Sequence, residues 1–105
     1  MQFLVRFDVH QPEDMSNREL LEIWDREADA ALGAMDAGAL THLWKVSGQR
    51  VVVGVLELPD AESVDRALAG LPIITEMGGS VETEVLPIYE YRTFAADLKE
   101  QLKEG

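Results

Sequence analysis

One glutamate lies where a helix keeps its apolar side chains. The stretch "EIWDREADAA" spans residues 22–31, and side chains on a helix turn by about 100° per residue. Glu27 then falls about 20° from Leu20, between Ile23, Trp24 and Ala31. Leu20, Trp24, Ala28, Ala31, Ala34 and Met35 share this arc. Glu22, Asp25, Arg26, Asp29 and Asp36 fall on the opposite side. A carboxylate against apolar groups loses hydration, a loss of several kcal/mol unless a cation pairs with it. The same loss raises its pKa toward the range useful for moving protons at neutral pH. Glu27 is therefore a candidate general base. Two structural alternatives stand beside this reading: an ion pair with a buried Arg or His, or escape to solvent at the helix edge.

Other chemistry is sparse. Arg6, His42, Trp44 and Lys45 are the side chains able to share space with Glu27. A cation there would hold an anionic substrate or neutralise the acid. The competing structural roles are an ion pair with Asp8 or Glu84 for Arg6 and a hydrogen-bonded core position for His42. For Lys45 the expectation is a solvated strand residue, and for Trp24 and Trp44 a place in the core. His10 and His42 lack metal-ligand spacing, so no metal site is expected. Gly78-Gly79-Ser80 reads as a turn before a strand rather than a phosphate loop, and no serine sits in a nucleophile elbow.

The elements that must position these residues follow from periodicity. Residues 2–10 alternate, with Phe3, Val5, Phe7 and Val9 on one face and Leu4, Arg6, Asp8 and His10 on the other, which predicts a strand. Pro12 ends it, and Ser16 with Glu19 forms a capping box for a helix from Asn17 to Ala37, stopped by Gly38. Residues 40–46 and 50–58 predict a β-hairpin. Asp60 caps a second helix through Ala69, and "GLPIITEMGG" turns the chain with room for a short helical turn. Residues 80–89 predict a fourth strand, with Pro87 marking an edge. Phe94, Leu98 and Leu102 form the stripe of a C-terminal helix. The order β-α-β-β-α-β plus a helix is the ferredoxin-like, α+β pattern. One domain is expected over residues 1–105, with a core of 1–90 and a helical tail of 91–105. Two helices cover one sheet face. The other face, with several apolar residues, is expected to pair with a second subunit, giving at least a dimer.

Composition narrows the function classes. The 105 residues carry a net charge of −11, with nine Lys and Arg, so nucleic acid is not an expected partner. No run is long and apolar enough for a membrane span, and Met1 to Arg6 do not have the layout of a signal peptide. There is no cysteine, hence no disulfide, thiolate nucleophile or cysteine metal site, which fits a cytoplasmic protein.

The chain resembles the muconolactone delta-isomerase family of the catechol branch of the β-ketoadipate pathway, enzymes of aromatic compound catabolism. The resemblance rests on "FLVRFDV", Pro12 to Met15 ("PEDM"), Glu27, the "GALTHLWKVSG" run from Gly38 to Gly48, and Leu71-Pro72 followed by Met77. It implies a dimeric α+β barrel of ferredoxin-like subunits paired sheet to sheet, with dimers assembled into a decamer. It implies a pocket between sheet and helices, partly closed by a neighbouring chain. The implied reaction moves a ring double bond of a five-membered unsaturated lactone through a dienolate, with one base and no cofactor or metal. Glu27 matches the family's carboxylate. The implied substrate-binding set is Arg6, for the acetate arm or enolate oxygen, His42 as a supporting donor, and Trp44, Val52 and Gly54. The chain departs from the family at Val51-Val52-Val53-Gly54, at Ile73-Ile74-Thr75-Glu76 and in its longer tail. Fewer donors on the third strand point to a less polar substrate. Two readings stay open: a lactone isomerase, and a binding or cyclase-like relative acting on a more apolar substrate.

Overall fold

Alternation along β1 (Gln2–Val9) sets the frame of the molecule. Phe3, Val5 and Val9 are buried on one face, while Arg6 and Asp8 face the other way and stay half-buried. In a computed structural model describing residues 1–104, β1 is flanked on both sides. It pairs antiparallel with β3 (Val51–Glu57) and with β4 (Val81–Ile88). β2 (Leu40–Lys45) joins the outer side of β3, and the sheet order is β2-β3-β1-β4. This is the ferredoxin-like order expected from the sequence. A bulge between Leu40 and His42 takes up one residue of β2.

α1 (Asn17–Asp36) starts where the capping box predicts. The Ser16 hydroxyl accepts from the Glu19 N–H at 3.1 Å and donates to the Glu19 carboxylate at 3.1 Å. It stops at Gly38, whose φ of 85° is open to glycine at little cost. There the Ala39 N–H reaches the Ala34 carbonyl and the Gly38 N–H the Met35 carbonyl, a Schellman pair. α2 (Ala61–Ala69) is capped by Asp60, which accepts from the Ser63 N–H at 2.8 Å. The short helical turn admitted by the sequence is α3 (Pro72–Met77), followed by a 3₁₀ turn at Gly78–Ser80.

Two apolar clusters fill the space between sheet and helices. One gathers Phe3, Val5, Leu40, Leu56 and Val64, and the other Val9, Leu20, Ile23, Ile73 and Met77. Glu27 is the only buried charged residue among the described residues. α4 (Tyr91–Glu104) forms as the tail stripe predicts, yet buries none of its residues. Its projection accounts for a radius of gyration of 17.0 Å, against about 13 Å for a compact chain of this length. No described helix is long and apolar enough to cross a membrane.

Candidate active site

The two apolar clusters leave a cavity of about 480 Å³ between the sheet and α1, within the range of small-molecule sites. Its floor is the helix-facing side of the sheet: Val5, Phe7, Val52 and Gly54. α1 supplies Trp24, Glu27 and Ala31, and the α2–α3 segment supplies Leu68, Leu71 and Ile73. Glu27 and Lys45 are the only charged residues in the lining.

Gly54 sits in a tight place. A Cβ there would meet the His42 carbonyl oxygen at 3.1 Å, Leu40 Cδ1 at 3.1 Å and Leu43 Cδ1 at 3.3 Å. A larger side chain would also enter the cavity that Gly54 lines. Glycine in a strand often marks such a close approach.

Glu27 is 7% exposed. Its Oε2 accepts from the Ile73 backbone N–H at 3.4 Å. No cation pairs with it among the described residues. No sealed side-chain oxygen lacks a partner among the described residues, so the other carboxylate oxygen, which has no donor, keeps some accessible surface, and Glu27 is among the residues lining the cavity. Burial raises the Glu27 pKa above the ordinary carboxylate range, and the Ile73 N–H opposes that shift. The arrangement leaves a desolvated, unneutralised carboxylate against an apolar void. Nearby, Arg26 grips Glu76 through a fork, with Nη2 at 2.6 Å from Oε1 and Nε at 3.2 Å from Oε2, tying α1 to α3.

The residues singled out from the sequence divide between the two faces of the sheet. Glu27, Val52 and Gly54 line the cavity from the helix-facing side, and Trp44 also borders it at the edge strand β2 although its register opposite Val53 puts it on the open face. Arg6 and His42 do not line it. Strand alternation turns Arg6 to the open face, where its Nη2 lies 3.7 Å from Asp8 Oδ2. His42 stacks on Trp44 with ring centroids 5.4 Å apart, and Trp44 is itself 54% exposed. Lys45, expected in solvent, is exposed but also borders the cavity, because it shares its face with Leu43 and pairs with Val52. Sequence spacing also hid a cluster on the open face. The register sets Asp8 opposite Glu82, and His10 joins them, with ligand atoms within 4.8 Å of one another. These groups are partly exposed and lie away from the cavity.

A four-stranded antiparallel sheet in ferredoxin-like order, with a small-molecule-sized cavity lined by one buried acid that no cation neutralises among the described residues, defines an α+β domain with a ligand-sized site. A family model for muconolactone delta-isomerase matches residues 1–93, and the chain belongs to that isomerase family. Similar proteins include the muconolactone Delta-isomerase of Acinetobacter baylyi, 29% identical over 77 residues, covering 73% of this chain and 80% of that protein. Muconolactone Delta-isomerase 1 of Acinetobacter lwoffii is 27% identical over 97 residues, covering 92% of this chain and 97% of that protein. A crystal structure of muconolactone isomerase at 3.3 Å resolution matches with a TM-score of 0.72 at 24% identity, covering 86% of this chain and 90% of that one. That likeness bears out the fold. The tail beyond residue 93, most of α4, lies outside the family match.

Proposed function

We propose that the protein is a cofactor-independent isomerase that shifts the ring double bond of a muconolactone-type lactone, with Glu27 as its single base. The observation that carries this reading is the Glu27 carboxylate, neutralised by no cation among the described residues and lining an apolar cavity of about 480 Å³. In the first step a C–H bond of the saturated ring carbon γ to the lactone carbonyl, next to the conjugated double bond, breaks, and its proton moves to the carboxylate. The electron pair spreads over the ring to the carbonyl oxygen as a dienolate. In the second step the Glu27 carboxyl returns the proton to the carbon beside the carbonyl, and the double bond has moved. Atoms and charge balance, and the carboxylate is regenerated. The Ile73 N–H occupies Oε2, which orients the other oxygen toward substrate. The test is incubation with muconolactone in D₂O, followed by NMR. Double-bond migration supports the reading, with deuterium entering the ring only to the extent that the Glu27 carboxyl exchanges with solvent before returning its proton, and an unchanged spectrum contradicts it.

The proposal includes a homo-oligomer, at least a dimer. Leu86 and Ile88 are 44% and 37% exposed on the open sheet face together with Trp44, and apolar surface of that kind favours a second copy. It also includes a cytoplasmic setting, consistent with a chain that has no cysteine. A second reading, a relative acting on a more apolar substrate, is favoured by Val52 and Gly54 on the cavity floor. Turnover of muconolactone decides between the two.

A further inference from the structure

Lys45 stands where the cavity opens. It borders the main cavity and also an outer groove of about 440 Å³ that includes Asn17, Leu21 and Arg50. Trp24 and Lys45 line both spaces, so they mark the passage between them. Lys45 Nζ donates to the Val46 carbonyl at 2.9 Å and to the Gln49 carbonyl, both in the β2–β3 turn. Arg50 Nη2 donates to Gln11 Oε1 at 3.2 Å. These partners are neutral. Neither cation forms an ion pair among the described residues, as is also true of Arg92 and Lys99 on α4, whereas Arg6, Arg18, Arg26, Arg66 and Lys103 all do. Among the unpaired cations, Lys45 and Arg50 are the two that share one groove, in a chain of net charge −11. No acidic residue lines the groove, and Glu27 is the only acid in the main cavity; Asp8 shares a third, adjoining space with both cations without pairing with either.

We infer that Lys45, assisted by Arg50, binds the carboxylate of the substrate at the cavity mouth, so that the lactone ring enters first and meets Glu27. The inference rests on the isomerase reading and adds the orientation of the substrate. Reversed, the carboxylate would lie among apolar walls and face the like charge of Glu27, and both effects oppose binding. At the mouth it meets an ammonium and stays partly hydrated. Arg6, on the other face of the sheet, does not reach this opening.

The probe is the saturated lactone-acetate analogue of muconolactone, which keeps the carboxylate but has no double bond to move. Its binding is read from the fluorescence of Trp24 and Trp44, both in the lining. Lys45→Met keeps an unbranched stem and is expected to weaken binding about tenfold or more, the worth of a charge-assisted contact. Lys45→Arg restores it. Arg50→Gln, which leaves the turn contacts of Lys45 intact, weakens it by about threefold. The methyl ester of the analogue binds the parent and Lys45→Met alike. Equal affinity of parent and Lys45→Met for the acid overturns the inference, as does an equal loss for acid and ester. Failure of the isomerase reading looks different: the analogue binds with this lysine dependence, yet muconolactone is not turned over.

Discussion

The backbone N–H of Ile73 donates to the side chain of Glu27 at 3.4 Å, joining positions 46 apart in sequence. The bond ties the third turn of α1 to the start of α3. It is long for an amide–carboxylate bond, and it supplies no positive charge. Burial therefore dominates, and the acid's pKa stays raised. Glu27 is held in place without being neutralised, which is the condition for a base.

This sets opposite pH dependences for activity and stability. With Glu27 as the proposed base, turnover requires the ionised acid, so kcat/KM should fall as pH drops through the raised pKa of Glu27. In the unfolded chain the same carboxyl titrates at the ordinary, lower value. Between the two values the folded state holds a proton that the unfolded state releases. The stability contributed by Glu27 is thus fully present below the unfolded pKa and lost as pH rises through the folded one. A pH–rate profile and urea melts across the same range check both signs, with Glu27→Gln as the reference lacking this titration.

Glu27→Gln should leave the fold intact and its stability at neutral pH equal or higher. Glutamine keeps an oxygen able to accept from Ile73 and carries no charge to desolvate. A thermal midpoint at or above that of the parent is the expected result. A drop of several degrees would show that the ionised acid stabilises the fold.

Gly54→Val should destabilise the sheet by about 1–3 kcal/mol, the usual range for overpacking. The first added carbon already meets the His42 carbonyl oxygen at 3.1 Å, and strand backbone yields little. The extra methyls would also enter the cavity floor. Lower thermal midpoint and weaker ligand binding should appear together.

Truncation after Glu90 should leave a folded core. α4 buries none of its residues, so its removal takes no packed side chain with it. The thermal midpoint is expected within about 4 °C of that of the full chain, corresponding to less than about 1 kcal/mol. A larger loss would mean that the tail is covered in the working assembly.

Much of this was legible in the sequence, for identifiable reasons. Period-two alternation set both faces of β1, and the Ser16–Glu19 and Asp60–Ser63 pairs fixed two helix starts. The helical arc placed Glu27 inward without any tertiary information. α3 carries weaker signals, since six residues are too few to show a period and Leu71 provides no side-chain cap. Lys45 is admitted beside Glu27 by the sequence but expected in solvent, and Arg50 carries no signal there, for a different reason. Alternation separates Lys45 from His42 and Trp44, but Leu43 and Trp44 are both apolar, so it leaves open which side carries the helices. Only the register with Val52 and Gly54 settles that. The absence of carboxylate partners for Lys45 and Arg50 is likewise a property of the folded surface rather than of spacing.

The most direct measurement is the turnover of muconolactone by Glu27→Gln beside the parent. With the acid as sole proton carrier, kcat should fall by about 10²-fold or more while the variant stays folded and still binds the saturated analogue. A folded variant with the parent's kcat would mean that another group moves the proton.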